Sequence, residues 1–456
     1  MRIIIIGAGN IGSNIARHLI SENHQVTVIE RNKATVRKVE NQLDALMVCD
    51  DATDIRTLDQ AGVKDVDLLI SVTDRDNVNI LSAILAKQLN PNLQCIVKVK
   101  YYSAVFDGVR ISPSDLNLDY IINPNDLVID KIINLMDYTD ATEIINFYGG
   151  KVQLVGFVAG KHFPFLGEKL FEVARHDQFF HEIRVTAIHR NGKLIIPTGT
   201  NMILENDKVF CIAKTHHIQH LMKKYIQKGP PIRNLIISSE PQILPDLVER
   251  VRKTHRTVTI IEEDKAQCAR YTHQLDGVVV INGVGTDASV FRDMNTGGSC
   301  YVSITDRDEF NIVSCATAKS QGIGKVMCSI RDMALVQLIN SIATIDSVFS
   351  SNVIAAGEIL KYTRGGHINS MTYFSGVPAE IIEITIADKI PSLGKQLRDV
   401  KAPKGMIVAS ILRGGEIIIP TGKDELLLND RVICFVLPES LDAADSFFAS
   451  NLIIGR

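Results

Sequence analysis

The chain has 456 residues, 46% of them hydrophobic and 22% charged, with a formal net charge of −3 at pH 7. At roughly 150 residues per domain this suggests about three domains of ordinary globular composition, and neither the net charge nor any dense Lys/Arg run draws the chain toward nucleic acid. No apolar stretch approaches the roughly 18–20 residues of a membrane helix, so any membrane role must run through a partner.

The first element is "IIIIGAGNIG" at residues 3–12. Ile3 to Ile6 have the continuous apolar character of a strand buried on both faces of a parallel sheet, and a chain that opens on a core strand is expected to carry no signal peptide. Gly7, Ala8, Gly9, Asn10, Ile11 and Gly12 then read as a phosphate cradle: Gly7 for the tight turn, Gly9 for approach of a pyrophosphate to the backbone, Gly12 for close helix packing. Ile11, Ile15 and Leu19 recur every four residues, so a helix follows whose free N-terminal amides face the phosphates. A second strand, "QVTVIE", ends at Glu30, 18 residues after Gly12, where a carboxylate accepts hydrogen bonds from the ribose hydroxyls. Glu30 favours a free ribose hydroxyl over a phosphorylated one, with Arg31 beside it as the contrary signal.

The eight cysteines form no CxxC pair and sit in apolar stretches, as small hydrophobes do in a reducing compartment. His216 and His220 in "HHIQH" have the i,i+4 spacing of a metal pair, but no cysteine or carboxylate stands nearby to complete a set, so no metal is expected.

Beyond the first strands the chain repeats itself. "QVTVIERNKA" at 25–34 returns as "TVTIIEEDKA" at 257–266, and "SVTDRDNVNI" at 71–80 returns as "SITDRDEFNI" at 303–312. The offset is constant, since 262 − 30 and 306 − 74 both give 232, which marks a duplicated α/β unit. "VTAIHRNGKLIIPTG" at 185–199 likewise returns as "VASILRGGEIIIPTG" at 408–422, in short β-rich runs with turn signals at Asn191-Gly192 and Gly414-Gly415. The expected fold is therefore α/β: two Rossmann-like, doubly wound parallel-sheet domains at 1–140 and 229–364, each followed by a small α+β domain, at 141–228 and 365–456. Linker character at 223–231 and 364–367 sets two of these boundaries.

The second large domain lacks the cradle. The offset places Ser239, Pro241 and Leu244 where the first has glycines, so side chains stand where backbone should meet phosphate, while Glu262 persists at the position of Glu30. The chain is thus expected to bind nucleotide through its first half.

Catalytic patterns are missing. His162, His176, His181 and His189 are candidate acid/base groups, but no nucleophile elbow, Walker lysine, HExxH or carboxylate pair accompanies them. No catalytic residue is assigned, and an NAD-dependent oxidoreductase with a degenerate duplicate remains the rival reading.

"IIIIGAGNIG", the acid in "VTVIER", "DDATD" at 50–54, "SVTDRDNVNI" and the duplicated "IIPTG" followed by "NDKVF" or "NDRVI" resemble the TrkA-type regulatory subunit of bacterial Trk potassium uptake systems, built from tandem RCK domains. The resemblance covers essentially the whole chain, including its large, small, large, small order. It implies that Asp51, Ala52 and Thr53 border the adenine and that Thr73 and Asp74, at the carboxyl edge of the sheet, neighbour the ligand. Asp74 also suits a helix N-cap. Lys98, near where the family often has Arg, would meet phosphate charge.

The resemblance further implies a non-enzymatic, cytoplasmic subunit, peripheral on the inner face of the plasma membrane. It would assemble as a homotetrameric ring and gate a membrane potassium transporter of Trk type. NAD(H) and ATP or ADP all fit, because loop and acid recognise adenosine and diphosphate alike. Regulation of another cation transporter is the further alternative.

Overall fold

A computed structural model describes the chain except residues 101–112, 227–228, 293, 295, 333–334, 336–338, 340–344, 364–367, 375–376, 387–389, 391, 401 and 449–456. The expected linker at 364–367 lies outside the described residues. Two compact units emerge, one from Met1–Leu127 with Asn352–Met371, the other from Val128–Ser351 with Thr372–Phe448.

In the first unit, β1 (Arg2–Ile6), β2 (Gln25–Ile29), β3 (Leu46–Val48), β4 (Leu68–Ser71), β5 (Gln94–Lys98) and β6 (Tyr120–Ile122) form a parallel sheet in the order β3-β2-β1-β4-β5-β6. This is the dinucleotide-binding order, whose reversal between β1 and β4 opens a crevice at the carboxyl ends of the strands. Ile3 to Ile6 are at most 1% exposed, as their unbroken apolar run requires. The helix Asn10–Ser21 buries Ile11, Ile15 and Leu19, the face read from their spacing. Ile4, Ile6, Leu58, Leu69, Cys95 and Val97 share one core, each large side chain contributing about 1.5–3 kcal/mol on burial. The helix Ser351–Thr363 lies mostly within this unit, and its Tyr362 ring sits 4.2 Å from that of Tyr120 on β6.

The second unit holds the duplicate. After β7 (Ala141–Phe147), β8 (Val152–Val158), β9 (Ile183–Arg190), β10 (Lys193–Ile195) and β11 (Lys208–Lys214) come β12 (Asn234–Ser239), β13 (Thr257–Glu262), β14 (Val278–Asn282), β15 (Ser299–Ile304), β16 (Lys325–Ser329) and β17 (Ser347–Phe349). The last six repeat the parallel order as β14-β13-β12-β15-β16-β17. Lys325, fully buried on β16, donates to the carbonyls of Leu135, Tyr138 and Ala141 at 2.6, 2.8 and 2.8 Å, closing the C-terminal end of the helix Pro124–Asp137.

The small sheets match each other as well. β7 to β11 run in the order β10-β9-β11-β8-β7, and β18 (Ile368–Phe374), β19 (Val377–Thr385), β20 (Met406–Arg413), β21 (Glu416–Ile418) and β22 (Arg431–Val436) run as β18-β19-β22-β20-β21, the same arrangement seen from the other edge. Arg190 clasps buried Asp207 with two hydrogen bonds of 2.7 and 2.6 Å, and Arg413 clasps Asp430 at 2.9 and 2.7 Å. Both pairs stand at an offset of 223, since 413 − 190 and 430 − 207 agree. Phe147, Leu154 and Phe210 of one sheet pack with Ile381, Ile433 and Phe435 of the other in a shared core. The four sheets are the expected α/β architecture, two Rossmann-like and two small.

Candidate functional site

A cavity of about 330 Å³ opens at the carboxyl edge of the first sheet. Eight of the sequence-derived site residues line it: Gly7, Gly9, Glu30, Arg31, Asp51, Ala52, Thr73 and Asp74. The three glycines of the loop have different reasons to be glycine. Gly7 has φ +99°, and a Cβ there would stand 3.0 Å from the Thr73 backbone nitrogen. At Gly12 a Cβ would be 1.9 Å from the Gly7 carbonyl oxygen, so helix and loop pack in direct backbone contact. Gly9 meets nothing within 4 Å and has an ordinary extended backbone, so the fold itself does not require glycine there. What the absent side chain leaves open is the cavity.

Ala8 lies behind the lining and acts through its amide, which donates to Glu30 Oε2 at 2.9 Å. Glu30 Oε1 accepts from the Asn32 amide at 2.8 Å. Asn32, unremarked in the sequence, also caps the helix Lys33–Glu40, its Oδ1 accepting from Ala34 and Thr35. Asn10, Ile11 and Gly12 form the first turn of the helix after the loop, with Ile11 and Gly12 buried against the sheet. Asp51 Oδ1 accepts from both the amide and the hydroxyl of Thr53, at 2.9 and 2.7 Å. The Thr53 amide, then its hydroxyl, hold the Asp51 carboxyl below its ordinary value, with Arg31 and Arg75 acting in the same direction.

Thr73 is held by a residue that sequence motifs do not single out. Asn79 is fully buried, and its Oδ1 accepts from the Thr73 amide at 2.8 Å, the Thr73 hydroxyl at 2.6 Å and the Ser71 hydroxyl at 3.2 Å. Its Nδ2 donates to the carbonyls of Thr73 and Lys98. One side chain therefore ties the ends of β4 and β5 together beneath the cavity. The available signal was the final asparagine of the repeated "SVTDRDNVNI" and "SITDRDEFNI".

Asp74 lines the cavity and does not cap the following helix, whose N-cap residue is Arg75. Lys98 stands outside the lining, and burial pushes its ammonium below the ordinary lysine value against the opposing pull of Asp76. None of His162, His176, His181 and His189 lines the cavity.

Among the described residues the lining carries four carboxylates, Glu30, Asp50, Asp51 and Asp74, against two guanidiniums, Arg31 and Arg75. Net charge thus gives a phosphate no attraction. The attraction has to come from loop amides, the N-terminal end of the helix Asn10–Ser21 and the two arginines. Among the described residues no group of three or more His, Cys, Asp or Glu side chains could hold a metal, and no helix is long and apolar enough to cross a membrane.

A family model described as the TrkA-N domain matches residues 3–124 and again 245–351, and one described as the TrkA-C domain matches 381–449. The Trk system potassium uptake protein TrkA of Halomonas elongata is 30% identical over 443 residues, 96% of each chain, and that of Vibrio alginolyticus is 29% identical over the same shares. Of the solved structures, the GsuK RCK domain matches with a TM-score of 0.60 at 17% identity, over 98% of this chain and 95% of that one. The GsuK channel bound to NAD matches at 0.57 and 16%, over 98% of this chain and 79% of that one. At such identities these structures speak for the fold alone. The duplicated parallel sheets, the glycine loop before the first helix and a relationship that runs nearly end to end place this chain in the TrkA family of Trk-system potassium uptake proteins.

Proposed function

We propose that the protein is a non-enzymatic regulatory subunit that binds an adenine nucleotide, NAD(H) or ATP/ADP, in the first cavity and thereby gates a membrane potassium transporter of Trk type. The observation that carries this reading is the bond between Glu30 and the Ala8 amide, which sets a ribose-binding acid against a phosphate-binding loop in one crevice. Gly7 through Gly12 would hold the diphosphate, Glu30 and Arg31 the ribose side, Asp51, Ala52 and Thr53 the adenine border, and Thr73 and Asp74 the far wall. Lys98 stands outside this set.

The lining includes no His, Lys, Tyr or Cys among the described residues, the groups that serve a nicotinamide dehydrogenase as acid or base. This supports use of binding energy over turnover. Nucleotide then biases the protein between arrangements that bind it unequally, and a coupling of about 1–3 kcal/mol changes the open fraction severalfold to a hundredfold. The relatives named for Trk-system potassium uptake support a membrane potassium transporter as the partner; the protein itself would lie on the inner face of the membrane through that partner, assembled as a homotetrameric ring, as the family resemblance implies.

Calorimetry of the wild-type chain and Glu30→Ala against NADH, NAD, ATP and ADP tests the site, and a pull-down of membrane proteins tests the partner. Binding unaffected by Glu30→Ala would remove the assignment.

A further inference from the structure

The far wall of the first cavity is tied by side-chain hydrogen bonds to the start of the helix Pro124–Asp137. We infer that Asn125 is a positioning residue through which a nucleotide in the first cavity acts on that helix. The inference rests on the reading of the first cavity as a nucleotide site and adds how occupancy is passed on from it.

A strand that ends at the carboxyl edge of a parallel sheet leaves backbone groups the ladder no longer serves, and side chains must take them. At β4 that side chain is Asn79, which accepts from the Thr73 amide and hydroxyl and donates to the Lys98 carbonyl at 2.9 Å. Two residues on, Lys100 is held from two sides. Its amide donates to Asp76 Oδ1 at 3.0 Å, and its carbonyl accepts from Asn125 Nδ2 at 3.1 Å. Asp76 opens the helix Asp76–Leu89, to which Asn79 also belongs, and is 8% exposed. Thr73, Lys98 and Lys100 are therefore all bonded to one helix, and Lys100 passes the connection to Asn125.

The helix Pro124–Asp137 does not need that bond in order to start. Asn123 caps it, its side chain accepting from the Asn125 amide at 3.0 Å and its carbonyl from the Leu127 amide at 3.4 Å. Pro124 stands at the first position, where no amide hydrogen is needed. The cap is complete without the Asn125 side chain, whose bond to Lys100 serves instead to tie helix to strand end. The helix begins in the first unit, and its residues 128–137 belong to the second, where Lys325 holds its last carbonyls. Its turns form cooperatively, so a change at the first turn is not absorbed as it would be in a loop.

The frame beneath the wall is built twice. Asn311 donates to the Ser329 carbonyl at 3.0 Å, and Asp308 accepts from the Arg331 amide at 3.0 Å, as Asn79 and Asp76 do in the first sheet. What lets the first copy carry a signal is Thr73. It lines the cavity, and a Cβ on Gly7 would stand 3.0 Å from its nitrogen, so glycine loop and strand end are in contact. A ligand that draws on the Thr73 hydroxyl competes with Asn79 for it and so biases the frame between two arrangements.

The test is hydrogen exchange of the full-length chain, read by mass spectrometry over residues 124–137, with and without ADP, the part that NAD(H) and ATP share. Calorimetry runs alongside. Asn125→Asp removes the donor while a carboxylate in a first helical turn is favoured, so the helix keeps its start; Asn125→Ala is the second variant, and thermal melts check both. In the wild-type chain ADP is expected to change exchange of the helix by about threefold or more. Both variants should bind ADP within about twofold of wild type, since Asn125 lies outside the lining, and should lose the response. Wild-type chain that binds ADP with no change in the helix overturns the inference. So does a variant that keeps the full response, loses ADP binding while folded, or raises exchange equally with and without ADP, which is what a purely structural role would do. Wild-type chain that binds no ADP removes the reading of the first cavity, and the inference with it; calorimetry tells this case from the others.

Discussion

The carboxylate of Glu30 accepts the Ala8 amide at 2.9 Å, tying the end of the second strand to the middle of the glycine loop. Acid and loop thus form one corner, which on the proposed reading fixes the ribose and diphosphate contacts relative to each other. Glu30→Ala should remove most nucleotide affinity. The fold should survive, because the variant removes one acceptor from a single buried amide, that of Ala8, and from the exposed amide of Asn32, at a cost of about 1–3 kcal/mol. Paired calorimetry and thermal melts check both halves of the statement; a variant that binds normally, or that fails to fold, contradicts it.

Gly9 and Gly12 should separate binding from stability. Gly9→Val enters open space and is expected to melt near wild type while losing nucleotide. Gly12→Ala drives a Cβ against the Gly7 carbonyl and should cost about 2–4 kcal/mol. Denaturant titration of the two variants decides it: equal stability losses would mean that the loop is not divided in this way.

Asn79→Ala and Asn311→Ala should each cost about 2–4 kcal/mol, since each leaves a buried serine hydroxyl and backbone groups at two strand ends without their partner. The double variant should show additive losses, because the two residues serve separate sheets. Non-additivity beyond about 0.5 kcal/mol would contradict independent roles.

Lys325→Met should be strongly destabilising, by about 3 kcal/mol or more, because three carbonyls lose a buried donor at once. It should also change the pH profile. Burial lowers the Lys325 ammonium from 10.5 to about 8, so between those values the unfolded chain holds the proton and the folded chain does not. Wild-type stability from this group therefore rises with pH across that window, and below about pH 8 the cost of burying the charge is fully present. Denaturation at about pH 8 and about pH 10 should show a steeper rise for wild type than for Lys325→Met; parallel profiles would contradict the assignment.

Much of the architecture was legible because it is written twice. A constant offset of 232 fixes the equivalence of the large sheets without any structural input, and strand order follows from the βαβ pattern. That the loop and Glu30 meet at one cavity was legible because the glycine spacing marks a strand–turn–helix and the acid ends the next strand. Asn79 was not, although it sits in a quoted repeat: a buried asparagine inside a helix has no motif, and its role appears only once the ends of β4 and β5 meet over it. The place of the helix Ser351–Thr363 in the first unit was equally hidden, because an apolar helix face says that it packs and not against what.

The most direct test of the central claim is potassium flux through the reconstituted Trk-type transporter with wild-type protein or Glu30→Ala, with and without NAD(H), ATP or ADP. Wild-type protein should change the flux when nucleotide is added, severalfold or more at a coupling of about 1–3 kcal/mol, and Glu30→Ala should abolish that response while still associating with the transporter. Flux indifferent to nucleotide with the wild-type protein, or an equal nucleotide response with Glu30→Ala, would contradict the account.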